Sequence, residues 1–299
     1  MEKLKFGGWE NCYRLDNSRI ELIVTGDVGP RVIRFGFIGR ENMFKEYEDQ
    51  LGVTEAQEWL IFGGHRLWHA PEAQPRTYYP DSEPVLVQEI ENGLIVTQQP
   101  EPTTGLQKQI EITLSPDNDE VHLTHFLINH NLWAIETAAW APTVMSPGGV
   151  ALLPLPPRGT HPECLLPTNL LSLWPYTNLS DPRWILGEKV IMLRQDPTNK
   201  TPQKIGSFVP DGWGAYVNHG ALFIKRIPIQ FEGLYPDLGV NFEVFTNNDM
   251  LELESLGPIE TVPPKGRLDH HEHWTLLDGF SIPKSESEVL TNIIPEIVQ

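Results

Sequence analysis

The stretch LQKQIEITLSPDNDEVHLTHFLIN, residues 106–129, decides the fold class. Leu106 to Leu114 and Val121 to Asn129 follow the two-residue period of β-strands, and Ser115-Pro116-Asp117-Asn118-Asp119 between them is turn chemistry. The same pattern extends in both directions. RIELIVT (19–25) and RVIRFGFI (31–38) flank the turn Gly26-Asp27-Val28-Gly29-Pro30 as a hairpin. Leu94 to Gln98, Ala221 to Arg226, Asn241 to Thr246, Met250 to Leu253 and His271 to Leu277 read as further strands. The 27 prolines, about 9% of the chain against roughly half that on average, leave little room for long helices. Short helices are expected only at Asn42 to Glu48 and Thr54 to Leu60. The Pro-rich run from Leu152 to Pro182 reads as a long ordered excursion rather than a linker. The expectation is one all-β domain over residues 1–299, built of stacked antiparallel sheets.

Composition narrows the function classes. Lys and Arg number 22 against 40 Asp and Glu, a net charge of −18. A chain this acidic repels phosphate backbones and anionic membrane surfaces, so neither nucleic acid nor membrane is an expected partner. No apolar run approaches a membrane span, and the N-terminal residues show no apolar signal core, so a cytoplasmic location is expected. Two cysteines, Cys12 and Cys164, make no disulfide framework. Phosphate-binding glycine loops, a G-x-S-x-G elbow and CxxC pairs are absent, so no cofactor is expected.

Three clusters could carry chemistry. The first is Gly63-Gly64-His65-Arg66-Leu67-Trp68-His69. Glycines permit close backbone approach, Arg donates through a planar fork, and Trp offers an apolar face. Sugars present hydroxyls and a CH face, so this set suits them, although a glycine turn with a half-buried Trp and solvated His and Arg is the plainer reading. The second is Met250-Leu-Glu-Leu-Glu-Ser-Leu256, where Glu252 and Glu254 share one strand face and Leu251 and Leu253 the other. That face is either solvated or part of a cleft. The third is Asp269-His270-His271-Glu272-His273-Trp274, with His271 and His273 on one side. An H-x-H pair can ligate a transition metal, but no further ligand motif follows, and a solvated strand is the simpler reading. Of nine tryptophans, most belong to a core. Trp174 and Trp184, on the Pro-rich excursion, are placed to stack on a ligand.

In this order the pieces resemble the galactose mutarotase-like, or aldose 1-epimerase, superfamily, as an uncharacterised divergent branch. Gly63 to Leu67 is similar to its Gly-rich turn followed by Asn-Arg-Ile, and residues 109–129 look like its central hairpin. Leu253-Glu254-Ser255, with Pro263-Pro264-Lys265-Gly266 downstream, resembles the family's Leu-Glu-Thr-Gln and Pro-Gly. The resemblance implies an antiparallel β-supersandwich, Glu254 as general base and Arg66 as a sugar contact; Trp68, from the residues themselves, is a further candidate contact. It also exposes two departures. Thr137 to Thr143 stands where the family carries its acid His, and Trp140 falls at or near that position. Asp211, before Gly212-Trp213, is the counterpart available for the family's sugar-binding Asp.

Three functions follow from this reading. A sugar 1-epimerase would use Glu254 as base and His65 or His69 as acid to open and reclose an aldose ring. A non-catalytic sugar-binding protein would keep the cleft, including Trp140, Trp174 and Trp184, without the acid. A metal-dependent β-fold enzyme would use His271 and His273.

Overall fold

The computed structural model describes residues 1–298. Two large antiparallel sheets face each other. The first runs in the order Glu2–Phe6, Trp9–Asp16, Ile20–Thr25, Arg31–Phe37, Gly64–Arg66, Ile135–Met145, Leu251–Leu256, Phe242–Thr246, Gln203–Ser207 and Leu171–Leu173. Trp68–Ala70 and Glu260–Val262 also pair with Ile135–Met145. The second runs Trp184–Leu186, Val190–Arg194, Val150–Pro154, Trp213–Asn218, Ala221–Arg226, Arg267–Asp278, Glu120–Asn129, Leu106–Leu114, Gly93–Thr97 and Leu86–Ile90. The hairpin read from residues 106–129 pairs Leu114 with Val121 and Leu106 with Asn129. The expected all-β sandwich is therefore found.

Alternation along each strand sends one set of side chains into the space between the sheets. Phe35 from the first sheet meets Phe223 and Trp274 from the second with ring centroids 5.8 and 5.5 Å apart, and Phe44 closes the cluster. Burying each such ring contributes on the order of 2–3 kcal/mol. The outer face of the second sheet is covered near its middle by the helices Glu286–Asn292 and Ile294–Ile297. Val289, Ile293 and Ile297 pack there with Trp213, Leu222 and Ile224. Ser285 caps the first of these helices by accepting from the Glu288 amide. Among the described residues, no helix is long and apolar enough to cross a membrane.

The helices expected at 42–48 and 54–60 do not form. The Asn42 side chain accepts from the Phe35 and Phe44 amides and donates to the Ile33 carbonyl, tying the chain to the neighbouring strand. Such side-chain bonds compete with helix. Phe44 then bridges to Met145 in extended conformation.

The space between the sheets also holds a polar hub. The Glu272 carboxylate accepts from Lys225 Nζ at 2.9 Å, from the Ser255 hydroxyl at 2.5 Å and from the Trp274 indole at 2.7 Å. His65 Nε2 meets His125 Nε2 at 2.7 Å, and His65 Nδ1 meets Thr143 Oγ1 at 2.8 Å. His270 Nε2 bonds to Ser255. Burial pushes the His65 and His125 imidazoles below their usual range, and pushes His270 down to about 3. For Glu272, burial alone would act upward. Lys225, together with the imidazoles of His65, His125 and His270, outweighs it and holds the carboxyl below its usual range.

These shifts fix the sign of the pH dependence. Between about 6.5 and 3 the unfolded His270 takes up a proton that the folded one refuses. Stability is complete above the unfolded value and is lost as pH falls, at up to about 1.4 kcal/mol per pH unit for each such imidazole. Urea midpoints measured from pH 7.5 to 4.5 should therefore decline on acidification. His270→Gln should flatten that decline, and identical slopes for variant and wild type would contradict the assignment.

Candidate functional site

Backbone conformation at Gly63 and Gly64 sets the start of the site. Both have positive φ, +99° and +70°. A Cβ on either would collide with a carbonyl oxygen, that of Lys45 or that of Val32. The glycines thus let the chain pass against its own neighbouring strands, and this is the close approach they serve here. The chain then enters Gly64–Arg66 and Trp68–Ala70, which pair with Ile135–Met145 through His65 opposite Thr143 and Trp68 opposite Trp140.

Alternation splits the cluster read from the sequence. His65, Leu67 and His69 point between the sheets, while Arg66 and Trp68 point outward. On the outer face, Pro142 pairs with Glu254 and Glu254 with Glu243. Arg66, Trp68, Trp140, Glu252, Glu254, Glu243 and Lys204 share that face. Glu252 and Glu254 lie on one side of their strand and Leu251 and Leu253 in the core, as the alternation implied.

The carboxylates and cations there interlock. Glu254 is fully buried, and its Oε2 accepts from the Trp140 indole at 2.6 Å and from Lys204 Nζ at 3.0 Å. Lys204 also contacts Glu243 at 2.7 Å, and its ammonium lies over the Trp140 and Trp174 rings at 4.9 and 4.8 Å. Burial acts to lower the Lys204 pKa. Glu243 and Glu254 outweigh it and hold the ammonium well above its ordinary range. Arg66 donates to Glu252 at 3.0 Å and stacks on Trp68 and Trp59, 4.3 and 5.5 Å from the ring centroids. Trp59, Trp68, Tyr78 and Trp140 form an aromatic group around this pair. A cavity of about 1190 Å³ opens beside Trp59 and Tyr78.

Several buried polar atoms on this face have no hydrogen-bond partner: Arg66 Nε and Nη1, Trp59 Nε1, Glu254 Oε1 and Glu243 Oε1. Leaving such atoms unpaired costs on the order of 1–3 kcal/mol each, more for charged groups. The set contains donors and acceptors within an aromatic surround, which is the complement of a polyhydroxylated ring.

The remaining predicted residues lie elsewhere. His65 belongs to the inter-sheet hub, and His69 lies on the same inward side. Burial, with Lys108 and Arg76 nearby, pushes the His69 imidazole down to about 2. The geometry therefore does not bring His65 or His69 to Glu254, because their odd positions face the opposite side of the sheet. Trp174 reaches the site through Lys204. Trp184 instead packs in the core and donates to Gln203 Oε1 at 3.1 Å. Asp211 is exposed in the turn before Trp213–Asn218 of the second sheet. His271 and His273 do share a face, but the imidazole stacked on His273 is that of His122. Lys204, Glu243, Trp59 and Tyr78 were missed in the sequence. The available signal was a single charge inside an apolar strand, as in Phe242-Glu243-Val244.

No protein-family profile and no curated protein matches the sequence. Solved structures do match. A galactose mutarotase-like protein from Lactobacillus casei superposes with a TM-score of 0.59 at 8% identity, covering 89% of this chain and 100% of that one. Its Clostridium acetobutylicum counterpart gives 0.53 at 9%, over 93% and 98%. The fold is that of the galactose mutarotase-like proteins. A Klebsiella pneumoniae structure described as a candidate aldose 1-epimerase gives 0.58 at 13% identity, over 93% and 83%. Identities this low make the chain a divergent example of the galactose mutarotase-like fold.

Lys204 is the cation on which the Glu243–Glu254 pair depends. Lys204→Met should leave two buried carboxyls facing each other and destabilise the protein by about 3–5 kcal/mol. Adding Glu243→Gln should recover part of that loss in a double-mutant cycle by urea unfolding. A loss below about 1 kcal/mol for Lys204→Met would show that the pair does not depend on the cation.

Proposed function

We propose that the outer face of the first sheet binds a neutral sugar of the aldose type, and that binding rather than 1-epimerisation is the function. The observation that carries this is the set of unpartnered donors and acceptors at Arg66, Trp59, Glu254 and Glu243, enclosed by Trp59, Trp68, Trp140 and Trp174. Arg66 donates to ring hydroxyls through Nε and Nη1, which its bond to Glu252 leaves free. Glu254 accepts a hydroxyl through Oε1, while Oε2 stays with Trp140 and Lys204. The aromatic rings take the CH face of the sugar.

Epimerisation asks for more. A base must take the anomeric proton while an acid protonates the ring oxygen, each with a pKa suited to its task. Glu254 Oε1, which has no hydrogen-bond partner, is the candidate for the first role. The groups bonded to Glu254 are an indole, which is no acid, and an ammonium held above its usual range. Tyr176, exposed near the site, has its phenol pushed by burial up to about 12. None is matched to the second role, and His65 and His69 face the other side of the sheet. This favours the reading in which a sugar is bound without turnover.

Isothermal titration of an aldose panel and NMR anomer exchange test both parts. At least one sugar should bind saturably, Arg66→Ala should weaken it by about tenfold or more, and anomer exchange should run at the buffer rate. Failure of every sugar to bind would overturn the site. Accelerated exchange that Glu254→Gln lowers by about 10²–10⁴ would replace binding with catalysis.

A further inference from the structure

The second sheet carries its own cluster of ligating groups on the side away from the first. In Arg267–Asp278 the even-numbered His270 and Glu272 turn inward to the hub, so the odd-numbered His271 and His273 turn outward. In Glu120–Asn129 the same alternation sends His125 inward and Glu120, His122 and Thr124 outward. The register places His122 directly opposite His273. Their rings stack nearly parallel, 4.4 Å between centroids and 5° apart in plane. Glu120 sits two residues before His122 on the same face, with its Oε2 3.5 Å from His273 Nε2.

We infer that Glu120, His122 and His273 form a surface site for a divalent transition-metal ion such as Zn²⁺. One ligand atom from each lies within 4.8 Å of the other two. A tetrahedral ion with bonds near 2.0–2.1 Å holds its ligand atoms about 3.4 Å apart, so the Glu120–His273 separation already fits, while the exposed His122 ring, now parallel to that of His273, turns about its side-chain torsions to aim its in-plane lone pair at the same ion. His273 Nε2 is buried, and the polar group facing it is Glu120, itself one of the proposed ligands. Two imidazoles and a carboxylate suit zinc, copper or nickel rather than calcium or magnesium, and leave a fourth position to water. Arg226, opposite His273 on the adjoining strand, is the neighbouring cation. Its guanidinium donates to Thr275 Oγ1 and to the Ile297 carbonyl. His271, two residues along, bonds to Thr124 at 3.2 Å. A cavity of about 490 Å³ lined by His122, Thr124, Arg226, His271 and His273 gives an ion access.

The inter-sheet triad of His65, His125 and Glu272 is a contrasting case. Its ligand atoms are equally close, but they bond to one another, to Trp274 and to Thr143, and the ammonium of Lys225 already neutralises Glu272. The outward cluster lies on the opposite outer face of the sandwich from Glu254, so it stands or falls independently of the sugar site.

Calorimetric titration of the tag-free chain with ZnCl₂ tests the site, with circular dichroism to confirm folding. Because His122 and Glu120 are solvent-accessible and His273 is half-buried, their variants should fold. One Zn²⁺ should bind saturably, and the melting temperature should rise with Zn²⁺ as ligand linkage requires. His122→Ala and His273→Ala should each weaken binding by about tenfold or more and abolish the thermal shift. His271→Ala should leave both unchanged. Absence of saturable Zn²⁺ binding overturns the inference. So does wild-type affinity in the His122→Ala/His273→Ala double variant, or a loss in His271→Ala as large as in His122→Ala.

Discussion

Glu272 is a carboxylate enclosed between two sheets, and it needs every donor around it. Lys225, Ser255 and Trp274 bond to it directly, and His65 approaches at 3.7 Å. A buried charge is tolerated only when paired and hydrogen-bonded. The chemistry of the interior therefore follows from this one group. It fixes Lys225, whose ammonium also reaches the carbonyls of Ala141 and Leu253 on the first sheet. It also gathers the imidazoles of His65, His125 and His270 between the sheets. The hub joins the sheets by polar contacts where a plain hydrophobic sandwich would have only packing.

That arrangement has consequences on the outside. Strand alternation gives each neighbouring residue to the opposite face, so committing His65 and Ser255 to the hub turns Arg66 and Glu254 to the other side of the sheet, where they are buried beneath the aromatic group. The outer face receives charges and aromatics, and the imidazoles that acid–base chemistry would want lie on the inner side. Trp140 and Lys204 hold Glu254 instead. The neighbours' fold is thus retained, and in this chain Glu254 is held by an indole and an ammonium. The shared fold does not by itself carry a function, which depends on the groups placed on it.

The same alternation makes the second sheet two-sided. His270 and Glu272 serve the interior, while His271 and His273 meet His122 and Thr124 outside. One six-residue run, Asp269 to Trp274, contributes to both the inter-sheet hub and the outward cluster without either touching the other's groups.

Much of this was legible in the chain. The period-two runs located the hairpins at 19–38 and 106–129 and the late strands, because alternation is a local property of the backbone. The shared face of Glu252 and Glu254, and the opposite sides taken by His270 with Glu272 and by His271 with His273, followed from the same rule. The C-terminal helix was legible too, since Ser285 and Glu288 stand at capping-box spacing, yet it went unread. What alternation cannot supply is which face becomes interior and which strands become neighbours. Lys204 lies 50 residues from Glu254, and Arg66 lies 186 from Glu252. Those ion pairs exist only because the sheet order sets Gln203–Ser207, Phe242–Thr246, Leu251–Leu256 and Ile135–Met145 side by side. The sequence by itself determined strands and their two sides. The tertiary structure decided that His65 would face the other sheet and Arg66 the outer side of its own, because choosing an interior is a property of two packed sheets and not of either strand alone.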